Sequence, residues 1–334
     1  MIVAAGEALI DLVPEGSAAD GLPALLPKRG GGPYTTAVAL ARLGARAAFC
    51  SRVSTDPFGQ ALVRALAEDE VDTSLVQRGD EPTTLAVTAI ARSGSASYSF
   101  YTEGTADRLF ELPGPLPAEA RAVVFGTCSL VLEPGASAYE DLLRREAGRG
   151  LFTALDPNIR PGLIPDAAAY RERFRSWLPS VTLLKVSDQD AAWLSGVPDA
   201  EAAAAEWLTA GPAAVVITRG AKGLTVLTRE GLRVAAPGRS VPVVDTIGAG
   251  DTVNAALLHR LDHHGALTAD PALSEERWRD VLGYAADAAA LTCTRAGAQP
   301  PYASELIAAG PAGSSHPVKR SGRPGGDQLG RVRR

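Results

Sequence analysis

Short apolar runs, separated by longer helical patterns, extend along most of the chain. The strands that these runs predict lie at residues 2–6, 9–13, 47–53, 123–125, 151–155, 181–184 and 214–217. Helical spacing of apolar residues fills the intervals, beginning with a helix over residues 36–43 and a second helix that starts at Asp56 and Pro57. Strands that alternate with helices in this rhythm are typical of a parallel sheet. The pattern therefore predicts an α/β fold.

Residues 84–90 and 96–101 break this rhythm, because apolar and polar positions alternate along both segments. The turn around Gly94 between them predicts a β-hairpin. Alternation implies one packed face and one open face, so we expect the hairpin to stand away from the centre of the main sheet. A lid over a ligand cleft has this pattern, and so does an ordinary edge hairpin.

A late segment combines an apolar run, a turn with two glycines and an alanine-rich helix. We interpret Val243 and Val244 as part of a short strand that ends at this turn. Gly248 and Gly250 allow the backbone to approach a ligand closely, and the first N–H groups of the following helix have no intrahelical acceptor. The turn, with Ala249 between its glycines, therefore predicts a site for an anion such as a phosphate group.

Asp251 is the unusual member of this turn. A carboxylate stabilises the N-terminus of a helix, but a phosphate bound at the same place would repel it. We interpret Asp251 as a general base that accepts the proton of a substrate hydroxyl during attack on a nucleotide's terminal phosphoryl group. An ordinary capped helix start is the alternative. A dinucleotide fingerprint is excluded because Val253 replaces its third glycine, and the sequence has no Walker-type phosphate loop.

Polar clusters follow three strands of the predicted parallel sheet. They occupy residues 156–160, 185–190 and 218–223. Because open α/β sheets bind ligands at the carboxyl ends of their strands, we expect these clusters to surround one site. Asp11, between two apolar neighbours, is expected to face the same cleft and bind hydroxyl groups, whereas Glu7 is assigned to an exposed strand end. Three glycines at residues 30–32 would let a ligand rest on bare backbone.

Composition and charge restrict the classes of function. With 334 residues, 46% of them hydrophobic, the chain can bury the core of one large α/β domain or of two smaller ones. The net charge of −5 leaves no electrostatic footprint for nucleic acid. No apolar run approaches the roughly 18 residues of a membrane helix, and the N-terminus lacks the basic leader of a signal peptide. Three cysteines without C-x-x-C spacing fit a reducing cytoplasm better than a disulfide framework.

Two motifs carry a resemblance to a known family. Residues 245–252, with the pattern D-T-x-G-A-G-D-T, and the glycine-rich stretch at residues 30–35 resemble the two signatures of the ribokinase or PfkB family of sugar kinases. The similarity spans about residues 1–305 and is closest to the bacterial fructokinase branch. It implies a ribokinase-like three-layer α/β sandwich with a mostly parallel central sheet and a small β-sheet lid. It also implies an enzyme that uses ATP and Mg²⁺ to phosphorylate a sugar hydroxyl.

The resemblance also implies an organisation of the chain and its partners. One kinase domain would cover residues 1–308, with lid strands drawn from about residues 9–30 and 83–105. Residues 309–334 are expected to form a disordered tail, since after Gly310 they carry six Lys or Arg residues against one Asp. In relatives, lids of this type often meet across a dimer, so a homodimer through the lid is expected. The other expected partners are the sugar and ATP, with no nucleic acid and no membrane.

Individual roles follow from the same resemblance, with Asp251 as the base and the amides of the turn before it as the anion hole. The residues implied for the sugar are Asp11, Gly31, Gly32, Thr35, Arg160 and Asp251. The residues expected to border the nucleotide are Lys185, Ser187, Thr218, Gly220, Gly223, Gly248 and Gly250. Asp245 and the carbonyl groups near residues 290–297 can hold a monovalent cation such as K⁺ in relatives.

Four positions leave the substrate open. Thr35 stands where the family usually has asparagine, and since threonine is shorter, the sugar would shift or a water would bridge the gap. Ser187 and Asp190 replace the family's Asn-x-x-Glu segment with a form that resembles the fructokinase-like branch. Arg160 could clamp a carboxylate or a phosphate. The alternatives are therefore a 2-keto-3-deoxygluconate kinase or another PfkB sugar or nucleoside kinase and, from another class, a catalytically silent sugar-binding homologue.

Overall fold

The computed structural model describes residues 1–17, 22–90 and 96–309. The strands within these residues are β1 (Ile2–Ala5), β2 (Leu9–Ser17), β3 (Pro23–Gly30), β4 (Ala47–Ser54), β5 (Val76–Gly79), β6 (Leu85–Ile90), β7 (Ala96–Tyr101), β8 (Ala122–Gly126), β9 (Phe152–Asp156), β10 (Leu183–Ser187), β11 (Ala214–Thr218), β12 (Leu224–Thr228) and β13 (Arg233–Ala236). The α-helices are α1 (Gly32–Arg42), α2 (Pro57–Glu68), α3 (Gly135–Gly148), α4 (Ala167–Trp177), α5 (Asp188–Ser195), α6 (Ala200–Ala210), α7 (Ala249–His263), α8 (Glu275–Cys293) and α9 (Ala303–Ala309).

The main sheet has the strand order β13-β12-β11-β10-β9-β8-β1-β4-β5. Neighbours from β11 to β5 are parallel, whereas β12 runs antiparallel to both β11 and β13. The central strands β1, β8 and β9 are buried along their whole length, because helices cover both faces of a parallel sheet. The carboxyl ends of the parallel strands meet at one edge of this sheet.

Helices form a layer on each face of the main sheet. Alternate residues of β1 point into the two layers, so that Ile2 and Ala4 join one core while Val3 and Ala5 join the other. The first core contains residues of α1, α2, α7 and α8, and the second contains residues of α3, α4, α5 and α6. The predicted three-layer α/β sandwich with a mostly parallel sheet is thereby confirmed.

A second, four-stranded sheet has the order β3-β2-β6-β7. Strand β2 pairs antiparallel with β3 and parallel with β6, and β6 and β7 pair antiparallel as the alternating pattern predicts. The residues around Gly94, at the predicted hairpin turn, lie outside the described residues. The four strands fall within the two segments assigned to a lid, and the function of this sheet as a lid stays a prediction.

Val243 and Val244 do not form the predicted strand. The segment is irregular, and both residues are 63% exposed. The backbone N–H groups of Val244 and Asp245 donate instead to the carbonyl of Cys293, at the end of α8, over 2.8 and 3.3 Å. The prediction was wrong because the apolar pair does not pack into the sheet. Val243 lines the second cavity, which is described below.

The basic tail predicted from residue 309 lies outside the described residues, apart from Ala309 at the end of α9. None of the described helices combines the length and the apolar character that crossing a lipid bilayer requires.

Candidate active site

A cavity of about 290 Å³ lies between the second sheet and the carboxyl ends of the central parallel strands, and we call it the first cavity. Its walls come from the residues after β1, β8 and β9, from the start of α1, and from the turn before α7. Tyr98 and Phe100 of β7 contribute aromatic side chains from the second sheet. Segments that are far apart in the sequence therefore meet at the edge where the polar clusters were expected.

Asp251, in the first turn of α7, lines this cavity and is only partly buried. Its Oδ1 atom lies against the bare backbone of Gly32, since a Cβ built at that glycine would be 3.2 Å away. The carboxylate is therefore accessible from the cavity, at the N-terminus of a helix and beside the glycine-rich start of α1. This is the position that a base for a bound hydroxyl requires.

The pKa of Asp251 is raised to about 7. Loss of solvent around the carboxylate is the main cause, and the negative charge of Asp156 acts in the same direction, whereas Lys185 and Arg160 oppose the shift. Asp156 is itself buried, and its Oδ2 atom accepts hydrogen bonds from Lys185 Nζ at 2.6 Å and from Asn254 Nδ2 at 2.7 Å. A base of this pKa is half ionised near neutral pH, where a general base acts efficiently.

The turn before α7 has the backbone that an anion hole needs. Gly248 has a φ of +77°, and a Cβ at this position would lie 2.7 Å from the Cβ of Ala298. Asp245 fixes the turn, because its two carboxylate oxygens accept hydrogen bonds from the N–H groups of Ile247 at 3.0 Å and Gly297 at 2.8 Å. At the start of α7 the N–H of Ala249 donates to the carbonyl of Thr246 at 3.3 Å, whereas the N–H groups of Gly250 and Asp251 have no backbone acceptor among the described residues.

A second cavity of about 330 Å³ lies on the other side of the same turn. Its lining is mostly apolar and includes residues of α8 together with Thr218, Gly220 and Gly223, which follow β11. Thr246 and Gly250 line both cavities. Two ligands bound in the two cavities would therefore approach each other at the N-terminus of α7.

Residues predicted to hold a sugar surround the first cavity. Asp11 lies on β2 with its Oδ2 atom over Gly30, where a Cβ would be only 2.1 Å away, and burial raises its pKa to about 6. Gly31 has a φ of +104°, which lets the backbone turn into α1. Arg160 Nη1 donates to the carbonyl and Oδ1 of Asn158, leaving Nη2 and Nε without a partner among the described residues. Thr35 also lines the cavity, and its hydroxyl has no hydrogen-bond partner among the described residues.

Lys185, Ser187 and Asp190 do not line either cavity. Ser187 caps α5, where its hydroxyl donates to Asp190 Oδ2 at 2.7 Å, and Asp190 Oδ1 accepts the N–H of Ile159 at 3.0 Å. Lys185 lies beneath the turn, since a Cβ built at Gly250 would be 3.1 Å from its Nζ. The structure therefore places these residues behind the cavities, where they position the 158–160 segment and add positive charge under the turn.

Glu7 and Thr127 were missed as site residues. The prediction of an exposed strand end was wrong, because Glu7 is 2% exposed and its carboxylate accepts the N–H groups of Gly32 at 3.2 Å and Ser129 at 3.1 Å. Burial raises the pKa of Glu7, and the Thr127 side chain hydrogen-bonds it. Thr127 has a φ of +62°, which is rare for a β-branched residue. An acid directly after a buried strand was the available signal for Glu7, whereas nothing in the sequence indicated the backbone of Thr127.

Comparison with known proteins gives consistent matches over this architecture. The family described as pfkB family carbohydrate kinase matches residues 1–305. A fructokinase of Rhizobium leguminosarum bv. trifolii is 39% identical over 271 residues, which cover 80% of this chain and 82% of the relative. The crystal structure of a fructokinase with bound ATP from Xylella fastidiosa superposes with a TM-score of 0.81 at 28% identity, covering 92% of this chain and 97% of that one. The crystal structure of a fructokinase double mutant from Vibrio cholerae in fructose, ADP and potassium ion bound form superposes with a TM-score of 0.79 at 26% identity. It covers 92% of this chain and 97% of that one.

Proposed function

Because the chain belongs to the pfkB family of carbohydrate kinases, we propose that it transfers the γ-phosphoryl group of ATP to a hydroxyl group of fructose. The observation that carries this proposal is the shared wall of the two cavities. Thr246 and Gly250 border both of them, and Asp251 follows directly in the first turn of α7. A nucleotide in the second cavity and a sugar in the first would bring their reacting oxygens together beside this carboxylate.

In the proposed reaction, Asp251 accepts the proton of the attacking hydroxyl. The N–H groups of Gly250 and Asp251, which have no backbone acceptor among the described residues, stabilise the charge on the transferred phosphoryl group. Lys185 lies beneath Gly250 and adds a positive charge under this turn. The second sheet, with Tyr98 and Phe100 facing the cavity, would exclude water as a lid.

The charges around the first cavity favour a neutral sugar over a sugar acid. Its described lining contains the carboxylates of Glu7, Asp11 and Asp251 but a single basic side chain, that of Arg160. Arg108 does not line the cavity, and its guanidinium binds Glu103 and the carbonyl of Glu133. A substrate carboxylate in this cavity would thus face more negative than positive charge. A ketohexose offers hydroxyl groups that these carboxylates can accept.

Mg²⁺ is expected to enter with ATP, where it neutralises the phosphate charges when bound. Such ions are usually held by one or two carboxylates together with phosphate oxygens and water rather than by a cage of protein ligands. The carboxylate oxygen that would take part is Asp156 Oδ1, which has no hydrogen-bond partner in the described residues and lies in a small crevice that Asp251 also lines. A monovalent cation is proposed at Asp245, whose oxygens each keep a second lone pair beyond the amides that they accept.

Release of ADP over a panel of acceptors tests the function. With fructose, 2-keto-3-deoxygluconate and ribose as acceptors, we expect turnover with fructose and little with the keto acid. Turnover with the keto acid alone would contradict the proposed substrate. Binding of fructose by calorimetry without ADP release would contradict the proposed catalysis and would favour a silent sugar-binding protein.

The second sheet also supports a proposed homodimer. Leu25 is 37% exposed and Tyr101 is 61% exposed on this sheet, and apolar surface of this kind is often covered by a partner. Light scattering at micromolar concentration should give twice the mass of the chain, and Tyr101→Asp should reduce it to the mass of one chain. We further propose that the enzyme works in the cytoplasm, where ATP is available and where its free cysteines would stay reduced.

A further inference from the structure

The hairpin of β6 and β7 begins and ends at one place on the molecule, formed by residues 82–84 and 105–107, which we call the hairpin root. Its polar side chains are buried, with Thr84, Thr105 and Asp107 only 2%, 3% and 6% exposed. The hydroxyl of Thr84 donates to Asp107 Oδ1 at 2.5 Å. The hydroxyl of Thr105 lies 2.7 Å from that of Thr84 and 3.0 Å from the same carboxyl oxygen. A buried carboxyl group therefore ties the start of the hairpin to its end.

Contacts on two sides fix the hairpin root to the helices of the main body. Asp56, the N-cap residue of α2, accepts hydrogen bonds from the backbone N–H and the hydroxyl of Thr83 at 2.9 and 2.7 Å. Gly135, at the start of α3, packs against the carbonyl oxygens of Asp107 and Arg108, and a Cβ at this glycine would lie 2.7 Å from the latter. Strand β6 therefore starts from a fixed point between α2 and α3.

The hairpin root also determines where one wall of the first cavity lies. The backbone carbonyl of Thr84 accepts an N–H of β2 at 3.0 Å. From there the strand register places Asp11 of β2 and Phe100 of β7 on either side of Ala86. Asp11 and Phe100 line the first cavity, whereas Asp107 is not part of its lining. A movement of Thr84 would carry both lining residues with it, because the backbone ladder joins the three strands.

We propose that Asp107 is a positioning residue for the acceptor, acting through the Thr84 hydroxyl to hold β6 where Asp11 and Phe100 contact the sugar. The inference rests on the proposed function, which places fructose in the first cavity. A carboxyl group suits this task because its oxygens accept hydrogen bonds from several donors at once. Loss of the Thr84 hydroxyl leaves Asp107 one donor short and loosens the start of β6. The sugar then has to order this segment when it binds, which weakens its affinity.

Two substitutions at Thr84 test this role, because valine keeps the shape of threonine without the hydroxyl and serine keeps the hydroxyl. Thr84→Val should raise the KM for fructose about tenfold, since one lost buried hydrogen bond corresponds to a factor of this order. It should leave the KM for ATP within about twofold, because the second cavity lies away from the hairpin. Thr84→Ser should keep both KM values near those of the unchanged protein.

A double substitution tests whether Asp107 acts through Thr84. Asp107→Ala alone should raise the KM for fructose by a similar factor. Adding Asp107→Ala to Thr84→Val should raise the KM little further, because both changes remove the same contact. Two effects that simply multiply would overturn the link between these residues.

The matched control is Thr153→Val. The Thr153 hydroxyl is also buried and donates to the carbonyl of Ser180 at 2.7 Å, but Thr153 lies on β9 and lines neither the first nor the second cavity. Its loss should lower the Tm, as Thr84→Val does, and leave the KM for fructose unchanged. An equal KM in Thr84→Val and Thr84→Ser, an equal rise in the control, or a parallel rise of the KM for ATP would overturn the inference.

Hydrogen exchange on the unchanged protein decides the case in which Thr84→Val does not fold. Saturating fructose should slow the exchange of backbone N–H groups at residues 83–87 and 105–108. The reason is reciprocity, since a ligand whose binding depends on an ordered hairpin root must also stabilise that order. Exchange rates at the hairpin root that fructose leaves unchanged would overturn the inference.

Failure of the proposed function gives a different result. If the unchanged protein releases no ADP with fructose, the proposed function fails, and the calorimetric Kd of fructose replaces the KM in the same comparison. A Kd about tenfold higher in Thr84→Val than in Thr84→Ser then supports the positioning role, and equal values or no binding overturn it. If fructose is phosphorylated and all variants share one KM, only the inference on the hairpin root fails.

Discussion

Replacing Asp251 by asparagine tests the central claim in two independent ways. Asparagine has nearly the same shape but cannot accept the proton of the attacking hydroxyl. We expect turnover to fall by roughly 100-fold to 10,000-fold, the usual contribution of a positioned general base. The unchanged enzyme should lose kcat/KM as the pH falls below about 7, since Asp251 must be ionised to act.

The same variant should be more stable than the unchanged protein. A carboxyl group with a pKa of about 7 in the folded state and near 3.9 in the unfolded chain costs on the order of 4 kcal/mol of folding free energy once it is ionised. The favourable contribution of its neutral form is complete below the unfolded pKa and is lost as the pH rises through the folded pKa. Because Asp251 keeps some contact with solvent, we expect about 1–2 kcal/mol of this to appear as stabilisation in the variant.

Thermal unfolding at pH 5 and pH 8 measures this effect. The Tm of the asparagine variant should exceed that of the unchanged protein at pH 8 by roughly 2–6 °C, because 1 kcal/mol corresponds to a few degrees for a domain of this size. The difference should shrink at pH 5, where most of the native carboxyl is already neutral. Asp141→Asn, an exposed position on α3, is the control and should change neither turnover nor the pH dependence. Equal Tm differences at both pH values, or a variant that keeps a tenth of the turnover, would refute the reasoning.

Three further changes probe the walls of the site. Gly248→Ala should reduce kcat at least tenfold, because the φ of this residue is +77° and the added Cβ would collide with Ala298. The control is Gly283→Ala, within α8 and with open space around it. This variant should keep its activity and stabilise the helix by about 0.5–1 kcal/mol. If both variants behave alike in the kinetic assay, the turn has no special role. Thr35→Asn should lower the KM for fructose severalfold and leave kcat nearly unchanged, since one added neutral hydrogen bond contributes roughly 0.5–1.5 kcal/mol. An unchanged or higher KM would count against direct contact between residue 35 and the sugar. Ala290→Phe fills the second cavity and should raise the KM for ATP about tenfold or more without a similar change for fructose, and a larger effect on fructose would contradict the assignment of the two cavities.

Local patterns predicted the parts of the site that depend on backbone and sequence order. The glycines around residue 31 and the turn at Gly248 were recognisable because positive φ values and close ligand approach require glycine. The hairpin of β6 and β7 followed from alternation of polar and apolar residues. These features are set within a few residues of one another, and so they appear in the sequence.

Features that depend on distant contacts were not predictable in the same way. Glu7 is a site residue because the N–H groups of Gly32 and Ser129 reach it, and those lie 25 and 122 positions away. Val243 has the apolar, β-branched side chain of a typical strand residue, but the backbone that follows it bonds to the end of α8, and Val243 lines the second cavity. The family resemblance implied that Lys185 borders the nucleotide, but its ion pair with Asp156 places it under the turn.

The first and second cavities share one short stretch of backbone, and the rest of each cavity is formed by different structural elements. The first cavity, which we propose for the acceptor, is built from the second sheet, the start of α1 and the segment after β9, whereas the second cavity, which we propose for the nucleotide, is built from α8 and the residues after β11. Mutations that reshape the acceptor side can therefore accumulate without disturbing the phosphate donor. An evolving lineage could change the alcohol that it phosphorylates many times over while inheriting one unaltered way of using ATP.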